Sequence, residues 1–233
     1  MKLVINGDDL GYTMGNTNGI FQAYREGILR STTALTNSKY FAEAMHIAET
    51  EYPGLGVGVH MTLTLGKPLT KNKTLTDPET GEFYPGRKKV WEMNPDYDEI
   101  YNEWKAQIER YIEVAGHKPT HLDSHHSVHD ATPQAYEVAK RLADEYGLEL
   151  RRYSRYKFVA GFYGPLATKE VLIKLLEDHK DEDIEIMVHP GWCDLELYRM
   201  SSYAAGRVQE LDVLCDPEVI AYCGEHHIEL VHY

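Results

Sequence analysis

The order of the apolar segments predicts an α/β protein in which helices surround a parallel sheet. Short strand-like segments alternate with longer segments of helical periodicity along the 233 residues, as in a chain of repeated β-then-α units. Seven strand candidates can be counted, which is close to the eight of a closed barrel. We therefore expect a closed or deformed (β/α) barrel of about seven strands with outer helices. An open doubly wound sheet is the alternative.

The predicted strands are short and rich in apolar or β-branched residues. In LGVGVH, Leu55, Val57 and Val59 share one side, while two glycines and His60 share the other. The seven predicted strands are LVIN (3–6), STTALT (31–36), LGVGVH (55–60), THLDS (120–124), LELR (148–151), IEIMVH (184–189) and IELVH (228–232).

Most of the segments between these strands have apolar residues at helical spacing. The clearest helix covers residues 97–115, where Ile100, Trp104 and Ile108 mark one face. The other predicted helices cover 16–26, 42–50, 133–146, 166–179 and about 217–225. Residues 62–95 are rich in turn formers and predict a long loop insertion within a single domain that spans residues 1–233.

Composition excludes several classes of partner. A formal net charge of −13 argues against nucleic acid and against an anionic membrane surface, since both need a basic face. The sequence has no apolar run of transmembrane length and no signal-peptide pattern at its start. The three cysteines form no CxxC pair, which is typical of reduced thiols. We therefore expect a cytoplasmic protein whose partner is a small molecule.

Ionisable residues follow five of the predicted strands at the same end. Because the carboxyl ends of parallel strands meet at one edge of a sheet, these side chains are expected to form one site. They are Asp8 and Asp9 after the first strand, His60, Asp123 and His125, Arg151, and His189.

Two of these histidines and one aspartate match the ligand pattern of a catalytic divalent metal. His60, His125 and either Asp8 or Asp9 would supply the ligands. Such a metal lowers the pKa of bound water from about 16 toward 7. The second aspartate would then act as general base, an arginine would keep that base ionised, and a histidine would protonate the leaving group.

Several motifs, in order along the chain, resemble the YdjC-like carbohydrate deacetylases, which include the chitooligosaccharide deacetylases. The motifs are NGDDLG, STTALTN, GVHMTLTLGKPL, KPTHLDSHHSVH and VHPGW, with ELDVL (210–214) near the end. The resemblance implies a deformed (β/α) barrel of the NodB type, often as a homodimer. It also implies hydrolysis of the N-acetyl group of an amino sugar or oligosaccharide, which is cleavage of a linear amide.

The resemblance also assigns roles to individual residues. His60, His125 and Asp9 match the metal ligands, and Asp8 matches the catalytic base. His189 resembles the acid and Arg151 the residue that orients the base. The remaining candidates would support the ligands or contact the substrate: His121, Asp123, His126, Ser127, His129 and Trp192.

The fine specificity and the identity of the metal each have two interpretations. Family members often read SHHHVH where this chain has SHHSVH, so Ser127 puts the fine specificity in question. The resemblance implies Mg²⁺, whereas two imidazole ligands favour Zn²⁺ or another transition metal.

Two other functions use the same residues. A glycosidase would use Asp8 and Asp9 without a metal, although adjacent residues rarely reach the separation of about 5–10 Å that its mechanism needs. A non-catalytic carbohydrate- or metal-binding protein would keep the ligands but need neither base nor acid.

Overall fold

A computed structural model describes residues 1–233 and contains one curled sheet of eight parallel strands. The strands are β1 (Lys2–Leu10), β2 (Ser31–Ala34), β3 (Gly56–Met61), β4 (His121–Ser124), β5 (Glu149–Leu150), β6 (Lys157–Val159), β7 (Ile184–Val188) and β8 (Glu229–Val231). Their order is β5-β4-β3-β2-β1-β7-β6, and β8 pairs with the first residues of β1. No pairing joins β5 to β6, so the barrel stays open there. The prediction of a deformed (β/α) barrel is confirmed.

Nine α-helices connect the strands. They are α1 (Met14–Glu26), α2 (Phe41–Glu51), α3 (Arg87–Glu92), α4 (Tyr97–Ala115), α5 (Pro133–Tyr146), α6 (Lys169–Asp178), α7 (Leu195–Met200), α8 (Ala205–Leu214) and α9 (Pro217–Glu225). Helix α5 shows why the sequence sets these limits: the Thr132 hydroxyl caps its first turn, Pro133 begins it, and Gly147 ends it in the left-handed conformation. A membrane crossing would need a longer and more apolar helix than any of these.

The period of two along the strands divides the protein into an apolar layer and a polar interior. In β3, Val57, Val59 and Met61 belong to an apolar cluster of 46 buried residues, which the helices also enter. Gly58 and His60 alternate with them and face the other side of the sheet. The same alternation in β1, β4 and β7 gives a polar interior whose side chains are Asn6, Asp8, His121, Asp123 and Glu185.

Four elements were absent from the sequence-based expectation. Strand β6 has only three residues, and α3 and α7 have six each, too few for a readable period. Helix α8 was missed because two of its buried positions are charged, Arg207 and Glu210, which hides its apolar face.

The segment between β3 and α4 is anchored to α4. The buried Glu103 carboxylate accepts hydrogen bonds from the backbone N–H groups of Leu69 and Thr70, at 3.0 and 2.9 Å, and from the Thr70 hydroxyl. One helical turn earlier, Glu99 binds Thr74 in the same way. Five further side chains of the segment are buried in the apolar cluster: Leu63, Leu75, Phe83, Tyr84 and Val90.

Replacing Glu103 by alanine is expected to lower the free energy of unfolding by about 2 kcal/mol, because the partly buried donors at Leu69 and Thr70 lose their acceptor. Urea denaturation would measure the change. Glu113→Ala is the matched control, since Glu113 is exposed on the same helix and should change stability by less than about 0.5 kcal/mol. Equal losses in the two variants would contradict the anchoring role.

Candidate active site

A cavity of about 510 Å³ opens at the carboxyl ends of the strands. Residues from widely separated segments line it: Asp8, Asp9, His60, His125, His126, Ser127, Tyr163, His189, Tyr203 and Arg207. Of the predicted strand-end residues, five therefore line this one cavity: Asp8, Asp9, His60, His125 and His189.

An irregularity at the end of β1 lets two adjacent aspartates reach the same cavity. The pairing of β1 with β2 shifts register between Gly7 and Leu10, and Asp9 has a positive φ of 74°. A regular strand would point Asp8 and Asp9 to opposite faces, so the bulge is what allows both to line the cavity. The Asn16 side chain holds the turned backbone by donating to the Asp9 carbonyl at 2.9 Å.

Asp9, His60 and His125 form a close cluster in the cavity. His60 Nε2 lies 3.1 Å and His125 Nδ1 2.8 Å from the same oxygen, Asp9 Oδ1. One ligand atom from each of the three residues lies within 4.8 Å of the others. The other Asp9 oxygen accepts a hydrogen bond from Arg207 Nη2 at 2.7 Å.

Asp123 fixes the orientation of His60. His60 Nδ1 donates to Asp123 Oδ1 at 2.5 Å, so its Nε2 is the nitrogen that faces Asp9. Carboxylates commonly hold metal-binding histidines in this way. Burial opposes the charged form of His60, but the Asp123 carboxylate outweighs it and raises the pKa of His60 to about 10.

The buried charges fit a divalent cation. Five buried acidic residues in and around the cavity (Asp8, Asp9, Asp123, Glu185 and Glu210) face two buried guanidinium groups (Arg151 and Arg207). Acidic groups therefore outnumber basic ones, and the Asp123 and Asp8 carboxylates outweigh burial and favour a proton on His60. A ligand imidazole must be neutral at its coordinating nitrogen, so a cation at Asp9, His60 and His125 would take the place of that proton.

Asp8 is clamped by the arginine after β5. Arg151 donates to both Asp8 oxygens, at 2.8 and 2.7 Å, and Asn6 adds a hydrogen bond at 2.9 Å. Burial of the carboxyl group opposes its ionisation, but Arg151 outweighs this and holds the pKa of Asp8 well below its ordinary value. Asp8 is therefore an oriented carboxylate at neutral pH.

His189 lies on the opposite wall and contacts two acidic groups. Its Nε2 is 3.9 Å from Asp8 Oδ2, and its Nδ1 is 4.0 Å from Glu210 Oε1. Burial lowers the pKa of His189 to about 4, so the free imidazole is neutral at pH 7. The rings of Tyr163 and Tyr203 pack edge-on against it.

The turn after β4 presents two residues in the left-handed region. His126 and Ser127 have φ values of 57° and 50°, and both line the cavity. The His126 ring packs against the His125 ring with 4.0 Å between their centroids, and His126 Nδ1 is 3.0 Å from the Thr64 hydroxyl. Burial lowers the pKa of His126 to about 4.

Five of the predicted residues lie outside the cavity lining. Arg151 and Asp123 are buried behind it, where they bind Asp8 and His60. His121 is buried deeper in the barrel and stacks on Tyr233. His129 is buried beside Ser124, with 2.5 Å between its Nδ1 and the hydroxyl. Trp192 is 46% exposed, and its indole N–H donates to Gln22.

The sequence-based candidates missed four residues of the site. Arg207 and Glu210 lie on the unpredicted helix α8, and Tyr163 and Tyr203 lie in the loops beside it. The ELDVL motif begins at Glu210 and was the one signal that pointed to this helix. Burial raises the pKa of Glu210 to about 7.

Solved structures share this fold. A crystal structure of an Enterococcus faecalis protein, described as a candidate cellobiose-phosphate cleavage protein, has a TM-score of 0.92 and 35% identity, and the match covers 100% of this chain and 97% of that one. A peptidoglycan deacetylase from Bacillus subtilis has a TM-score of 0.54 at 14% identity, covering 99% and 87%. A CE4 esterase from Streptococcus mutans has a TM-score of 0.57 at 15% identity, covering 99% and 85%. At such low identity the last two share the fold alone.

Sequence relatives match the whole chain. A protein named carbohydrate deacetylase 1 from Listeria innocua is 36% identical over 251 residues, covering 100% of this chain and 99% of that protein. A carbohydrate deacetylase from Enterococcus faecalis is 36% identical over 257 residues, covering 100% and 97%. The family model described as YdjC-like protein matches residues 2–225. The chain therefore belongs to the YdjC-like family.

Proposed function

We propose that this protein is a metal-dependent carbohydrate deacetylase that hydrolyses the N-acetyl group of acetylated amino sugars, of the chitooligosaccharide class, and releases acetate. The observation that carries the proposal is the meeting of the Asp9, His60 and His125 cluster with the clamped Asp8 and with His189 in one cavity. The name of the Listeria innocua relative, carbohydrate deacetylase 1, supports the same reaction.

Asp9, His60 and His125 would hold the metal. A divalent cation at this site would polarise the amide carbonyl and lower the pKa of a water molecule. The family resemblance favours Mg²⁺, whereas two imidazoles and one carboxylate are a donor set that transition metals such as Zn²⁺ prefer. Elemental analysis of the purified protein would identify the divalent cation.

Asp8 and His189 would move the proton. Asp8 is ionised and oriented by Arg151, so it can accept the proton of the attacking water. His189 is neutral and lies 3.9 Å from Asp8, so it can receive that proton and pass it to the departing nitrogen. The attack forms the carbon–oxygen bond of acetate, the carbon–nitrogen bond breaks, and the sugar leaves as an amine.

Asp8→Asn is expected to lower kcat by roughly 10²- to 10⁴-fold, because an amide cannot accept the proton of water. Bound metal should stay close to the wild-type amount, since Asp8 is not one of the three proposed ligands. Steady-state kinetics on acetylated chitooligosaccharides and elemental analysis would measure the two quantities. Activity near that of the wild type would show that Asp8 is not the base.

His60→Ala and His125→Ala are each expected to lose the metal and all acetate release. Elemental analysis after dialysis, repeated with added Zn²⁺ and Mg²⁺, would measure occupancy. His126→Ala is the matched control, because His126 lines the same cavity without joining the cluster. Loss of metal in the His126 variant alone would contradict the ligand assignment.

One assay separates this function from its two rivals. N-acetylglucosamine oligomers would be incubated with the protein before and after treatment with a chelator, and both acetate and new reducing ends would be measured. Metal-dependent acetate is the expected result. New reducing ends without acetate would indicate a glycosidase, and neither product would indicate a binding protein.

The resemblance also implies a homodimer, which is part of the proposal. Light scattering of the purified protein would give a mass close to twice 26.7 kDa if this is correct.

A further inference from the structure

The Arg151 guanidinium has hydrogen-bond partners both on its cavity side and on the deeper side, in the barrel interior. While its two terminal nitrogens bind Asp8, its Nε donates to Glu185 Oε1 at 2.7 Å. Glu185 is the second residue of β7, fully buried, and faces the barrel interior. Because a guanidinium group is planar and rigid, fixing its Nε also fixes the direction of its other donors.

Tyr233 in turn holds Glu185. The Tyr233 hydroxyl donates to Glu185 Oε2, so each oxygen of this carboxylate has a partner. The Tyr233 ring stacks on His121 with 3.9 Å between ring centroids and meets Tyr156 edge-on at 5.5 Å. The phenol is thus fixed on its face and at its edge, and it closes the interior of the barrel below Arg151.

We propose that Glu185 and Tyr233 are positioning residues for the reaction, which hold Arg151 in the plane where it clamps Asp8. The inference rests on the proposed role of Asp8 as the base. The contacts form one path: Tyr233 hydroxyl to Glu185, Glu185 to Arg151 Nε, and the Arg151 fork to Asp8.

A purely stabilising role explains this arrangement less well. Arg151 Nη1 also lies 2.8 Å from Asp123 Oδ2, so one buried guanidinium serves three buried carboxylates. Burying charged groups costs desolvation energy, and well-packed apolar residues of similar volume often give equal or greater stability. Glu185, buried below an already paired arginine, is better explained by the orientation that it imposes on Arg151.

The test is a double-mutant cycle on kcat with Tyr233→Phe and Arg151→Lys. Tyr233→Phe keeps the stacked ring and removes only the hydroxyl, and Arg151→Lys keeps the charge but removes the planar fork. We expect Tyr233→Phe to lower kcat about 3- to 10-fold, with KM changed by less than about twofold. In the Arg151→Lys background the same change should have almost no further effect.

Tyr111→Phe is the matched control. The Tyr111 hydroxyl is also buried and donates to the Val57 carbonyl at 3.1 Å, but it lies in the apolar layer on α4. Its loss should change the unfolding temperature and leave kcat unchanged. Either of two results would overturn the proposal. Tyr233→Phe could lower kcat by the same factor in the wild type and in Arg151→Lys, or it could lower kcat no more than Tyr111→Phe does.

A second measurement needs no substrate. The Arg151 Nε–H proton should exchange slowly with solvent in the wild type, as followed by nitrogen-15 NMR, and several times faster in Tyr233→Phe. An unchanged exchange rate would overturn the positioning path. Faster exchange in a protein that releases no acetate would keep the path and reject the deacetylase function.

Discussion

The contact of the Arg151 guanidinium with three buried carboxylates is the interaction on which the rest of the site depends. Asp8, Asp123 and Glu185 each place an oxygen within 2.8 Å of one of its nitrogens. Without that positive charge, three carboxyl groups in the interior of a small barrel would have no cationic partner. Since Asp123 also orients His60, the arginine connects the proposed base to the proposed metal ligands.

This arrangement follows from the way the fold divides its side chains. In an ordinary (β/α) barrel the interior is filled with branched apolar residues, whereas here the strands direct polar residues inward and apolar residues outward to the helices. The apolar layer supplies the stability, so the interior is free to carry charge. Because buried acidic groups outnumber buried guanidinium groups, the charge of the cavity itself favours binding of a cation.

The sequence predicted the site residues that lie at the ends of strands. It did not predict those that lie on helix α8 and in the loops. Asp8, His60, His125 and His189 were found because a parallel sheet brings the ends of its strands to one edge, which is a rule of topology and needs no coordinates. Arg207 and Glu210 could not be placed this way, because their buried charges remove the apolar period by which a helix is recognised. The positions of Tyr163 and Tyr203 depend on loop conformation, which no periodicity encodes. Glu185 can be recognised in the sequence, because an acidic residue between two isoleucines in IEIMVH indicates a side chain that faces a polar interior.

The backbone around the site is strained where the side chains must converge. Asp9, His126 and Ser127 occupy the left-handed region without being glycine, at a cost of order 1 kcal/mol or more each. The surroundings maintain this geometry: Asn16 holds the Asp9 carbonyl, and the turn after β4 is fixed by the bond from the His129 N–H to the Ser124 hydroxyl. A rigid turn means that position 127 keeps its backbone whichever side chain it carries. The short Ser127 side chain lines the cavity beside His126, so a larger residue at position 127 is expected to change the shape of the substrate that the cavity accepts.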